Sequence, residues 1–301
     1  MDGILNVNKP QGKTSFDMVA LVKRLSGERR VGHAGTLDPM ATGVLPICLG
    51  QGTRVTEFLY DASKTYRAEI EFGITTDTYD AWGKVLDRKD PKGIKREGVL
   101  STLARFQGEI QQTPPMYSAV KRNGKPLYRL ARAGITVERK TRTARIYSIE
   151  LIDWQSPVAT VDVVCGKGTY IRSLANDLGQ ALGCGAMLKS LVRLRYGPFD
   201  IREALTLPEL EDAFRYGYWT DFAFPIDYVL TAIPAVVVGE ETARDIRYGA
   251  SVSLNFEGKP GEKRCRAYTA DGCFLGVLSF NPESGLWEPK KVFTSPGNNS
   301  I

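Results

Sequence analysis

Apolar residues alternate with polar ones in some stretches of the chain and recur at helical spacing in others, and the two periods outline its elements. Between Lys64 and Gly73, Tyr66, Ala68, Ile70 and Phe72 share one face while mostly charged residues fill the other, which predicts a half-buried strand. Residues 3–10 predict a short strand running into a turn at Lys9-Pro10-Gln11-Gly12, and the apolar run 44–50 predicts a buried strand. Residues 159–165 form another, turned by Gly166-Lys167-Gly168. The segment from Thr169 to Arg172 then opens a helix to about Leu182, with Tyr170, Leu174 and Leu178 on one face. A helix capped by Thr14 or Ser15 runs to about Leu25, with Asp17 three residues after Thr14 and Gly27 past its end. Residues 100–106 fit a short helix, and residues 84–86 a strand entered from the polar, turn-rich run 75–83. Residues 188–199 supply another strand with its basic positions outward.

After Tyr228 the pattern changes to short β-like runs at 235–238, 265–268 and 274–280, separated by turn signals as in a small β-barrel. A domain boundary is expected near Leu230, and residues 295–300 read as a loose tail.

Composition narrows the class. The 301 residues give room for one large domain and a small one. No charged leader followed by a long apolar run opens the chain, and no stretch of about 18 apolar residues occurs, so a cytoplasmic protein without membrane contact is expected. The five cysteines are scattered and never spaced as CxxC, and with a single histidine neither a disulfide framework nor a metal centre is indicated. Gly12-Lys13-Thr14 looks like the end of a P-loop, but that motif needs glycine where Val7 stands, and Pro10 interrupts the turn. The net charge of +6 is unevenly spread: residues 121–145 hold nine basic residues against Glu138 alone, whereas residues 231–301 hold eight of each sign. A folded basic arm of this kind is the electrostatic footprint of a phosphate-backbone contact.

The segment 32–46 sets Asp38 among glycines, prolines and small residues, too punctuated for a helix or regular strand. Pro39 biases Asp38 toward extended geometry, and His33 lies five positions before it. An acid held on a loop between buried elements is where binding and catalytic groups tend to sit. Arg172, in the first turn of its helix, is mismatched to the helix dipole and needs an acidic partner.

Four segments in register carry a resemblance: residues 3–10 with Gly12, residues 32–46, Lys64-x-Tyr66 through 73–83, and residues 165–172. In this order the chain resembles the bacterial TruB-type tRNA pseudouridine synthases from residue 4 to about residue 200. The resemblance implies an α/β (α+β) pseudouridine synthase fold with a central mixed, largely antiparallel sheet flanked by helices. Residues 1–230 would be the catalytic domain, with an RNA-binding thumb insertion at about 114–145, and residues 231–301 a small PUA-like β-barrel domain. The implied reaction is isomerisation of uridine to pseudouridine at position 55 in the T loop of tRNA, by base flipping, without cofactor or metal. On the family's motifs Asp38 is the nucleophile, a carboxylate able to hold the intermediate by a transient covalent bond. Tyr66 lies against the target base as a candidate proton acceptor, and Arg172 pairs with Asp38. His33 takes the space the flipped nucleotide leaves, and Lys9, Tyr170, Lys121, Arg122, Arg129, Arg132 and Arg142 are implied RNA contacts. The T arm of tRNA is the implied partner of a monomer with no obligatory protein partner. Guide-RNA-dependent relatives carry N-terminal extensions and basic tails, whereas here the first motif begins at Gly3 and the C-terminal part is neutral.

Overall fold

The computed structural model describes residues 1–122, 124–255 and 263–293; the run 295–300 lies outside them. The chain lays down β1 (Gly3–Lys9), β2 (Val31–His33), β3 (Thr42–Leu49) and β4 (Lys64–Phe72), then a hairpin of β5 (Ile74–Thr76) with β6 (Val85–Arg88). β7 (Gly108–Gln112) is followed by a small hairpin, β8 (Lys121–Arg122) with β9 (Lys125–Pro126). Next come β10 (Arg142–Gln155), β11 (Val158–Cys165), β12 (Ala186–Tyr196), β13 (Phe199–Asp200) and β14 (Ala223–Phe224). The main sheet runs β14-β1-β3-β12-β4-β11-β10-β7, with β2 beside β3 and β13 beside β12. Only β3 and β12 pair in parallel, so the sheet is mixed and largely antiparallel, as the resemblance implies.

Side-chain alternation decides what each face covers. Tyr66, Ala68, Ile70 and Phe72 of β4 join the principal core with Met18 and Val22 of the helix Ser15–Ser26, Leu174 and Leu178 of the helix Ile171–Ala181, and Leu210 of the helix Leu207–Tyr216. β1 and β3 are buried on both faces. Leu5, Val7, Leu45 and Ile47 enter this core, while Ile4, Val44 and Cys48 enter a second one behind the sheet. Double burial explains why residues 44–50 read as a continuous apolar run rather than an alternating one, and each such side chain contributes about 1.5–3 kcal/mol. The helix after β1 starts where expected: the Thr14 hydroxyl accepts the Asp17 N–H at 3.0 Å, the Asp17 carboxylate accepts the Thr14 N–H at 2.8 Å, and Gly27 closes it at φ 68°. The helix Arg96–Ala104 begins four residues earlier than its apolar spacing predicts, because its first turn, entered from the uncapped Lys95, is polar and carries Gly98.

Two further differences concern β12 and the C-terminal part. Lys189 and Arg195 point outward as expected, but Arg193 is completely buried. The pairing of β12 with β4 shifts register between Leu188 and Ser190 and again between Arg193 and Arg195, and Arg193, two residues after the buried Leu191, faces inward. Beyond Leu230 a small β domain is present, and where the pattern predicts a barrel the described residues form one four-stranded sheet of β15 (Ala235–Val238), β16 (Arg264–Thr269), β17 (Phe274–Asn281) and β18 (Leu286–Val292). It also contains the helix Glu240–Arg247, which the sequence pattern hides because only Ala243 and Ile246 of it are buried. Val277 and Phe293 pack into the second core beside Ile4 and Val44, and Arg54 donates to the Val292 carbonyl at 2.6 Å.

The parallel contact between β3 and β12 depends on Gly43, which has φ +102° and stands opposite Arg193. A Cβ there would fall on the Arg193 carbonyl oxygen and lie 2.8 Å from its backbone nitrogen. Gly43→Ala is therefore expected to cost about 2–4 kcal/mol of stability, read by urea unfolding. A wild-type midpoint would contradict the close approach.

Candidate active site

Asp38 lies on the loop between β2 and β3, and that loop is fixed from below. Leu37, Met40 and Ala41 are buried, so the segment cannot lift without exposing apolar surface. The Ser15 hydroxyl accepts the Leu37 N–H at 2.9 Å and donates to the Leu37 carbonyl at 3.2 Å, and the Gly12 N–H donates to the Pro39 carbonyl at 2.9 Å. Between these anchors the Asp38 carboxylate stands up, with 37% of its side chain exposed.

Arg172 meets it. The guanidinium Nη2 donates to Asp38 Oδ1 at 3.0 Å, and Nε lies 2.9 Å from Oδ2, a two-point ion pair on a guanidinium only 5% exposed. Nη1 lies 3.5 Å from Asp80 Oδ2, and Nη2 also donates to the Tyr117 carbonyl at 2.8 Å. These acids answer the dipole mismatch that the helix start creates.

Asp80 is the site residue that the sequence reading left within its motif without a role. Its carboxylate accepts from the Thr78 hydroxyl at 2.6 Å and the Trp82 N–H at 3.1 Å. Burial pushes its pKa up, against the pull of the Thr78 hydroxyl and Arg172. Tyr79, next to it, has φ 63°, an uncommon conformation for a residue with a side chain, and its carbonyl accepts the Leu188 N–H at 2.9 Å. The signal was the polar turn itself, since an acid that folds back on its own loop is presented at a fixed angle.

Tyr66 projects from β4 directly across from Arg193 of β12. Burial pushes the Tyr66 hydroxyl pKa up, only partly offset by Arg193, so the side chain is a neutral phenol at ordinary pH. The buried Arg193 donates from Nε to the Val44 carbonyl at 2.7 Å and from Nη2 to the Gly35 carbonyl at 2.8 Å, and its guanidinium lies 4.9 Å from the Tyr196 ring. Its charge is felt around it. Burial first, then Arg193, lowers the pKa of His33, and the same two causes, against Asp38 and Asp17, bring Lys9 down to about 8. Lys64, 4.3 Å from the Tyr196 ring, also falls to about 8, mainly through burial.

Other expected contacts are placed differently from one another. Lys9 is completely buried, and its ammonium donates to the carbonyls of Lys13 at 2.7 Å and Pro10 at 2.9 Å and reaches Pro39 at 3.5 Å, so it braces the Asp38 loop instead of facing RNA. Its alternation with Leu5 and Val7 on the inner face of β1 carried that signal. His33 is half-buried on β2, with its Nδ1 buried and unpartnered. Tyr170 caps the helix that carries Arg172 and exchanges backbone hydrogen bonds with the Gln112 amide at 3.0 and 3.2 Å. Lys121, Arg122, Arg129, Arg132 and Arg142 are all exposed, on or beside the excursion between β7 and β10. Arg122 donates to the Glu138 carbonyl, and Arg132 lies over the Tyr128 ring at 5.7 Å. Among the described residues, no group of three or more His, Cys, Asp and Glu side chains gathers as a metal site, and no helix is long and apolar enough to cross a membrane.

Lys9→Met keeps the bulk and leaves the Lys13 and Pro10 carbonyls without their donor, so a loss of about 1–3 kcal/mol is expected in thermal unfolding. Because folding lowers the Lys9 pKa from 10.5 to about 8, the unfolded chain binds more protons within that interval. The stability gap between wild type and variant should therefore widen as pH rises through it. A gap that narrows there would contradict a buried, partly desolvated ammonium.

Comparison with known proteins places this arrangement. A family model described as TruB family pseudouridylate synthase (N terminal domain) matches residues 23–171, and one described as tRNA pseudouridylate synthase B C-terminal domain matches residues 172–231. The tRNA pseudouridine synthase B of Dehalococcoides mccartyi (strain BAV1) is 50% identical over 294 residues, covering 97% of both chains. That of Clostridium kluyveri is 44% identical, covering 92% of this chain and 95% of its own. A chain from the crystal structure of a Cbf5-Nop10-Gar1 complex superposes with a TM-score of 0.75 at 27% identity, covering 97% of this chain and 85% of that one. Two family models that divide between them at Arg172, and near-full-length relatives at half identity, establish that this chain belongs to the TruB family of tRNA pseudouridine synthases.

Proposed function

We propose that the chain isomerises uridine to pseudouridine at position 55 in the T loop of tRNA, with Asp38 as the nucleophile. The observation that carries this reading is the exposed Asp38 carboxylate, set on an immobilised loop and gripped at two points by a buried arginine. The reaction breaks the bond from the ribose C1′ to N1 of uracil, turns the base, joins C1′ to C5, and moves the C5 proton off the ring while N1 gains one. A carboxylate fixed at one spot can hold the intermediate while the base turns, and the Arg172 contact keeps the carboxylate aimed and its charge answered as water is excluded. The target base has to leave the T-loop stack, at about a few kcal/mol, offset by contacts elsewhere on the RNA.

Those contacts are assigned to the basic excursion between β7 and β10, whose exposed cations suit the phosphate backbone, and to His33, a neutral ring that fits the space of the extruded nucleotide. Tyr66 is taken as the wall against the uracil ring, and a neutral phenol suits packing and hydrogen bonding better than proton acceptance at rest. The tRNA substrate is read with no protein subunit supplying site residues, since Asp38, Asp80, Tyr66 and Arg172 all come from this chain. Residues 1–230 are read as the catalytic unit and 231–301 as a PUA-like unit.

Asp38→Ala is expected to abolish site-mapped pseudouridine formation on an unmodified tRNA transcript while leaving tRNA affinity within about threefold. Residual modification at wild-type rate would remove Asp38 from the chemistry, and a large loss of affinity would make it structural. Neutralising Arg129, Arg132 and Arg142 together should weaken binding and reduce the slope of log affinity against log salt by about 2–3. An unchanged slope would take the arm out of the interface.

A further inference from the structure

Arg193 has the properties of a working residue and none assigned to it. It is completely buried in the middle of the sheet, yet among the described residues no carboxylate pairs with it. A guanidinium stays charged under all ordinary conditions and can only donate, so burying one without an acid is expensive. Two of its nitrogens are used in a particular way. Nη2 holds the Gly35 carbonyl before Asp38 and Nε holds the Val44 carbonyl after it, so one side chain clamps both flanks of the Asp38 loop.

The third nitrogen, Nη1, is buried and has no hydrogen-bond partner. Directly opposed residues on antiparallel strands carry their side chains on one face, with Cβ atoms about 5 Å apart, and the residue opposite Arg193 is Tyr66. Tyr66 therefore stands beside that orphan donor, and its phenol oxygen is a group that can accept from it. A hydroxyl that accepts from a guanidinium has its own O–H left to give, and it gives it away from the cation.

We propose that Arg193 is a positioning residue of the reaction: it fixes both flanks of the Asp38 loop and, through Nη1, sets the Tyr66 hydroxyl as a hydrogen-bond donor toward the target base. The proposal rests on the reading of Asp38 and Tyr66 as the groups that meet the uridine. It reverses the direction of the Tyr66 contact that the family resemblance implies, making the phenol a donor where an acceptor was expected. It also gives a reason for Gly43, whose missing side chain lets β12 bring Arg193 against the loop.

The test is a double-mutant cycle in single-turnover pseudouridine formation on a tRNA transcript, with RNA affinity and thermal unfolding measured for each protein. Tyr66→Phe is expected to slow the chemical step by roughly a hundredfold, the size of loss seen when a hydrogen-bond donor aimed at reacting oxygen is removed. Arg193→Lys should be folded, bind RNA within about threefold of wild type, and lose rate strongly. The deciding reading is that this loss shrinks by at least about tenfold when Tyr66 is already phenylalanine. Equal losses in both backgrounds, or a loss confined to affinity, would overturn the proposal. If Arg193→Lys does not fold, Arg193→Gln, which keeps a side-chain amide donor, takes its place in the same cycle with the same deciding reading. Failure of the underlying site reading shows separately, as activity surviving in Asp38→Ala, where Arg193 and Tyr66 are intact.

Discussion

The structure hangs on one buried guanidinium. Arg172 has almost no access to water, so its charge has to be met inside the protein, and it is met by Asp38 and Asp80 together with the Tyr117 carbonyl. Removing one partner from such an arrangement leaves an uncompensated charge, at a cost of several kcal/mol. Four parts of the chain that share no sequence neighbourhood are thereby held to one point: the loop after β2, the β5–β6 hairpin, the helix Ile171–Ala181 and the base of the basic excursion.

Much of this was legible in the sequence, and what was missed has physical reasons. Period-two alternation gave β4 and β11 correctly, and Thr14, Asp17 and Gly27 bounded a helix because each end needs a particular residue for its unpaired backbone groups. Asp38 was visible because Pro39 and the glycines exclude regular structure around it, and Arg172 because a cation at a helix start asks for an acid. Lys9 and Arg193 were misplaced for one shared reason, that charged residues are assumed to face water. The alternation argued otherwise, since Lys9 follows Leu5 and Val7, and Arg193 follows Leu191, at the inward spacing. Asp80 was hidden differently. Its importance lies in a turn closed by Thr78 and Trp82 within three residues, which periodicity does not register.

The site has an unusual balance of charge. Arg172 is matched by two acids, whereas Arg193, Lys9 and Lys64 sit in the sheet with backbone carbonyls and aromatic rings as their neighbours. The lysines and His33 are driven toward neutrality by burial and by Arg193. The result is a floor held by hydrogen bonds to backbone carbonyls, beneath a carboxylate whose ion pair is with Arg172.

The basic excursion between β7 and β10 begins and ends on two strands that are already hydrogen-bonded neighbours, with Gln112 facing Arg142. Its ends are held together by the sheet whether or not the arm is present. Lengthening a loop whose ends are already joined costs only about 0.6 kcal/mol for each doubling. Beyond Tyr117, whose carbonyl holds Arg172, an arm built this way can gain or lose residues while the two strands at its base stay joined.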